Sequence, residues 1–192
     1  DESTLFDNNT VQGFEDKEDG SLFQEDPVLK WPAARMAGRQ INLRQVQDER
    51  PRIASFVFSK NEEYAWTTAC NPGKNLLLGY LWKRVHYPWI NFWRSVDEGI
   101  PMAFGMEFGT TGLHEPFPVV ARRGQIFGES IYDFIDAHEI ITKRYFVFLA
   151  KIPQDYQGVD GIEVSNNSVL VKEKKKESRD IIINVKKIKE NF

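Results

Sequence analysis

The chain is poor in the residues that usually advertise chemistry. Its 192 residues hold one cysteine, Cys70, and three histidines, His86, His114 and His138. A single cysteine cannot close an internal disulfide, so the fold does not rest on oxidation, and Cys70 reads as a small buried hydrophobe. The histidines stand far apart, with no HxxxH or HxH spacing, so no metal centre is expected. There is no GxSxG elbow, no phosphate-cradling glycine loop and no spaced Cys/His pair. No cofactor is expected either. Apolar runs stay below the roughly 18 residues that suggest a membrane span. The net charge of -3 is too small to mark nucleic acid or an anionic membrane as a partner. The first residues show neither an initiator methionine nor a basic-then-apolar leader. The chain therefore reads as part of a longer product, soluble and cytoplasmic or periplasmic, with the compartment unknown.

Aromatic residues are plentiful, at 13% of the chain, with 14 Phe and 5 Trp. That load suits a packed β structure. Residues 1–51 read as an irregular acidic arm and linker, with Phe6, Phe14 and Phe23 as anchors that would order it by docking. Proline ends any regular element in Leu29-Lys30-Trp31-Pro32, and a short helix could occupy residues 35–50. From residue 52 the signal turns to β. Strands are expected at Ile53–Phe58, Tyr64–Cys70, Leu76–Trp82, Pro88–Val96, Pro101–Phe108, Phe117–Ala121 and Ile140–Ile152. The tail adds Ile162–Ser165, Val169–Lys172 and Ile181–Val185. Turn signals such as Asn71-Pro72-Gly73-Lys74-Asn75 separate them. Many short strands at this spacing predict an all-β fold, an antiparallel β-sandwich over residues 52–192. The run Lys174-Lys175-Lys176-Glu177 reads as a charged hairpin tip that protects edge strands, rather than as a polyanion site.

Two strands carry the candidate chemistry. In Pro101–Phe108, alternation puts Met102, Phe104, Met106 and Phe108 on one face and Pro101, Ala103, Gly105 and Glu107 on the other. The carboxylate of Glu107 thus shares its face with small residues, which leaves room beside it. Either it is a solvated acid at a strand end or it serves a site. In Pro88–Arg94, Trp89, Asn91 and Trp93 share one face. Two indoles bracketing an amide suit a sugar, whose C–H face stacks on aromatic rings while its hydroxyls seek fixed partners. The same residues could equally cover a sheet, with Asn91 bonded to backbone. Glu115 stands near Glu107 in sequence, but nothing sets the two at the separation a paired-carboxylate hydrolase needs.

The order of these features resembles the C-terminal part of the galactose mutarotase (aldose 1-epimerase) superfamily. The resemblance rests on Arg52–Phe58, on Asn71-Pro72-Gly73-Lys74-Asn75-Leu76 and on Ile90-Asn91-Phe92-Trp93. Glu107 on its strand follows, then Pro116-Phe117-Pro118-Val119-Val120 and Asp136-Ala137-His138-Glu139. It implies a sandwich that is part of a galactose mutarotase-like supersandwich, with Glu107 as catalytic base. Asn91 and Trp93 would then line its pocket and a sugar, aldose or glycan, would be the ligand; Trp89, on the face of Asn91 and Trp93, and His114, the one local candidate for the acid, complete the expected substrate-binding set. The family's histidine and arginine belong to an N-terminal half with no counterpart here, and its aspartate in the strand equivalent to Ile53–Phe58 is missing. The expectation is a carbohydrate-binding domain that interconverts anomers if that half is supplied. The alternative is a non-catalytic carbohydrate-binding or structural β-sandwich module. Either a second copy of the chain or the missing half is expected to cover an otherwise open core.

Overall fold

The computed structural model describes residues 4–15, 28–36, 39–45, 52–98, 100–175 and 179–191. Two four-stranded antiparallel sheets face each other. The first runs β1 (Leu5–Asn8), β6 (Tyr64–Asn71), β7 (Leu76–Lys83), β12 (Tyr145–Lys151). The second runs β2 (Thr10–Glu15), β5 (Arg52–Phe58), β8 (Trp89–Asp97), β9 (Ile100–Gly109). Three short pairings complete the strands: β3 (Ala33–Met36) with β4 (Arg39–Asn42), β10 (Gln125–Ile126) with β11 (Glu129–Ser130), and the sheet β13 (Val159–Val164), β14 (Ser168–Glu173), β15 (Ile181–Asn184). The helices are α1 (Phe117–Arg123) and α2 (Ile188–Asn191). The all-β antiparallel sandwich is as the strand pattern predicts.

Alternation explains the layers. Along β6, Ala65 and Thr67 face the second sheet, while Trp66 and Cys70 face away from it. The inward residues join Trp82, Phe56, Phe58, Ile90 and Phe92 in the sandwich core. The outward residues join Leu77, Leu81 and Phe148 beneath Val169 and Val171 of the third sheet. Along β6 each face is thus matched to a cover, and a one-residue slip would turn both sets the wrong way. A third cluster, with Phe14, Val57, Trp89, Leu113, Val120, Ile126 and Ile131, lies on the outer face of the second sheet.

β9 runs across the strands of the first sheet rather than along them. Phe108 packs on Trp82, Tyr80 and Tyr145, Met106 meets the Thr67 hydroxyl, and Phe104 stacks on Phe6. Four residues of extended chain reach about 14 Å, the same as the three interstrand spacings from β12 to β1. The packing is therefore steeply crossed.

Several sequence expectations need correction. The arm over residues 1–51 is not irregular where it is described. Phe6 and Phe14 are buried, and β1 and β2 take an edge position in each sheet. Two docked phenylalanines supply the burial that an acidic composition hides; Phe23 lies outside the described residues. The short helix expected in 35–50 is replaced by the β3–β4 hairpin at residues 33–42. The strand expected at Phe117–Ala121 is the helix α1. Pro118 fits its first turn, Arg122 and Arg123 sit at its carbonyl end, and Gly124 stops it at φ 75°. The β-branched Val119 and Val120 hid that helix. β12 begins at Tyr145, not Ile140. Of the lysine run, Lys176 and Glu177 lie outside the described residues.

Candidate functional site

The site predicted from the sequence falls on the outer face of the second sheet. Register puts Ser55, Asn91 and Glu107 in one row across β5, β8 and β9, and Ile53, Trp93 and Gly105 in the next. Opposed residues of paired strands point the same way, so Asn91, Trp93 and Glu107 are neighbours on one face. The geometry around Gly105 tightens this. A Cβ there would stand 3.3 Å from the Trp93 ring and 3.7 Å from the Glu107 Cγ. The Trp93 indole therefore lies over the glycine, beside the carboxylate. At 37% exposure it presents a ring to solvent.

The far side of this face is a wall. The turn after β9 folds back on itself, with the Leu113 N–H donating to the Thr111 hydroxyl at 3.3 Å. Gly112 then rests on Trp89, where a Cβ would come within 2.3 Å of the indole. The Trp89 Nε1–H donates to the Ser130 carbonyl at 2.7 Å. Trp89 is fully buried. It anchors the loop and offers no stacking surface, so its predicted contact with substrate is corrected. Asn91 is 3% exposed, and its amide donates to the Thr111 carbonyl at 3.2 Å. Its Oδ1 and the hydroxyl of fully buried Ser55 have no protein partner.

Glu107 is exposed. Its exposure follows from β9 being an edge strand, with the wall standing over Trp89 instead. His114 is exposed just past the wall, before α1. Sequence reasoning missed Ser55 and Thr111. Ser55 is the lone uncharged polar residue in RIASFVF and shares its phase with Ile53 and Val57, which is the available signal. Thr111 acts through its backbone carbonyl, and no residue pattern announces that.

Other polar clusters are structural. Asp7, with a nearly fully buried side chain, holds Arg44 at 2.7 Å and Lys174 at 2.8 Å, and accepts from the Val159 N–H at 2.9 Å. Glu173 binds Arg179 at 2.8 Å, and that guanidinium holds its carboxyl below the ordinary range against the opposing effect of burial. Burial, followed by the Asp7 charge, pushes the nearby Cys70 thiol up to about 11, which makes it a poor nucleophile. An open groove of about 400 Å³ is lined by Glu62, Glu63, Tyr64, Trp66, Asp160 and Glu163. None of the predicted site residues reaches it. Among the described residues, no group of three or more His, Cys, Asp or Glu side chains is placed to hold a metal ion.

Comparison with protein-family models, with curated proteins and with solved structures finds no match to this chain.

Proposed function

We propose that the chain is a carbohydrate-binding β-sandwich that seats an aldose ring on the outer face of its second sheet. Trp93 and Glu107 would bind it in the manner of the aldose 1-epimerase superfamily that the sequence resembles, whereas buried Asn91 ties the wall to the sheet instead of meeting the sugar, a correction to the expected contact. The observation behind this reading is the Glu107 carboxylate beside an exposed indole laid over Gly105. An apolar ring face flanked by a carboxylate is what a sugar needs, because one pyranose face presents C–H groups and its rim presents hydroxyls. Trp93 itself fills the space over Gly105, and Ala103, on the same face, keeps the floor beside the indole low enough for a ring to settle.

The finer proposal is anomer exchange. Glu107 takes the proton from the anomeric hydroxyl while the ring oxygen receives one. The bond from the anomeric carbon to the ring oxygen breaks, a carbonyl forms, and after rotation the ring recloses on either face. His114, past the wall, is the local candidate for the acid. One observation favours binding without catalysis: Glu107 is exposed, so bulk water shares the space a reacting sugar would need.

Exchange NMR with α- and β-glucose and with galactose separates these readings. Catalysed exchange that Glu107→Gln reduces at least about a hundredfold would support the epimerase. Sugar contacts at Trp93 without exchange would support the binding module. No contact at Trp93 with any aldose or short glycan would sink both.

A further inference from the structure

The two sheets have four strands each, but β7 and β12 of the first run on past β9, the crossing edge strand of the second, and leave a step at one corner. β9 is the last strand of the second sheet, and its Phe108 lies over Tyr145 at the start of β12. Beyond that point the inner face of the first sheet continues through Val147 and Leu149 on β12. Leu78 and Leu76 are their neighbours on β7, by the pairs Leu149↔Leu78 and Lys151↔Leu76. These residues share the phase of Tyr80 and Trp82, which are core residues further along the same face. Leu78 is half-buried, but the others remain open, with Leu149 at 66%, Tyr145 at 54%, Val147 at 50% and Leu76 at 40% exposure. The opposite face of β12 is covered, since Phe148 is buried under the third sheet. Roughly 400 Å² of apolar surface thus lies open on one sheet corner, the size of the largest apolar patch on an ordinary protein surface, which is often a functional one.

We infer that this step docks a second copy of the chain, the two copies related by a two-fold axis. The step is self-complementary. Each copy has a projecting layer one sheet thick beside a missing layer of the same thickness, about 10 Å. Turned about the axis, the projecting corner of one first sheet fills the space under the other, and Val147 and Leu149 meet their own counterparts. Such an isologous contact closes at two copies. The area agrees. A standard interface takes about 800 Å² from each partner, a little over half of it apolar, which is about what the corner supplies. β12 is also a seven-residue edge strand without proline or bulge, and its one charge is the terminal Lys151. An edge left so bare is ordinarily covered.

Sedimentation velocity across 1–100 µM tests this, with circular dichroism to confirm the fold. The chain is expected to sediment as a dimer at the upper concentrations. Leu149→Glu and Val147→Lys should each raise the dissociation constant at least a hundredfold. Ile182→Glu, an exposed apolar residue on β15 of the third sheet, should leave it unchanged. Amide exchange over 145–151 should slow as concentration rises, which reads the contact without any substitution. A monomer at every concentration, or a dimer that survives both β12 substitutions, overturns the inference; a monomer whose 145–151 amides are slowed only by some other chain assigns the corner to that partner instead.

Discussion

At the scale of single residues, the outer face separates two roles that look identical in sequence. Trp89 and Trp93 occupy equivalent phases of β8, yet one is fully buried and the other is 37% exposed. The difference lies in what stands over them: Gly112 and Leu113 over the first, solvent over the second. Substitution should reveal this division. Trp93→Ala is expected to weaken sugar binding at least tenfold by titration calorimetry, with stability changed by no more than about 1 kcal/mol for a partly exposed ring. Trp89→Ala should instead cost about 3–5 kcal/mol in urea unfolding, the range for emptying a buried aromatic site. Ser55 is a sharper case. Its hydroxyl is buried without a protein partner, so removing it relieves a desolvation cost rather than breaking a bond. Ser55→Ala should be neutral or stabilising by up to about 1 kcal/mol. A clear loss of stability would show that an ordered water or Asn91 satisfies that hydroxyl in solution.

At the scale of elements, the wall over Trp89 depends on one close approach. The loop has no room for a methyl group at Gly112, because the indole Cε3 would be 2.3 Å away and the ring itself is fixed by Ser130. Gly112→Ala is expected to cost about 1–3 kcal/mol as an overpacking change, and to loosen the Asn91–Thr111 bond, seen as faster exchange of the Asn91 side-chain amide. The β14–β15 connection carries a pH signature. Arg179 lowers the Glu173 pKa in the folded state below its ordinary value of 4.5. The associated stability is therefore complete above about that pH and is lost as pH falls through the folded value. The urea midpoint should drop on acidification below pH 4.5, and less steeply in Glu173→Gln. Equal slopes in the two proteins would assign the acid sensitivity to other carboxylates, such as Asp155, which shares Arg179.

At the scale of the whole molecule, the strands were readable because alternation is local, whereas the joints were not. Pro101–Phe108 declared its core face through Phe104, Met106 and Phe108, which pack there, whereas Met102 in the same phase is exposed. Nothing local joins Phe6 to Phe104, or Asp7 to Lys174. Those contacts exist because β1 crosses the chain to pair with β6 and then lies against the third sheet. The exposure of Glu107 was likewise hidden, since it follows from β9 being an edge, a property of topology rather than of sequence. Asp7 is where this long-range wiring can be tested. Its side chain is 2% exposed and is held by two cations that are themselves 22% and 35% exposed, so the cost of breaking it is moderated by solvent on the cation side. It also accepts the Val159 N–H, which fixes the start of β13 to β1. Asp7→Ala should therefore do more than remove an ion pair. It strands a buried N–H and leaves Arg44 facing Gly158, where a Cβ would find the Arg44 Nη2 and Asp7 Oδ2 already in place. A loss of about 3 kcal/mol is expected, the lower end for a broken buried pair, together with faster amide exchange through β13. Lys172→Ala removes only the half-open pair with Glu163 and should leave the urea midpoint essentially unchanged. If the two substitutions cost the same, the third sheet is held by its apolar contacts with Trp66, Leu77 and Phe148, and the Asp7 cluster merely decorates that joint.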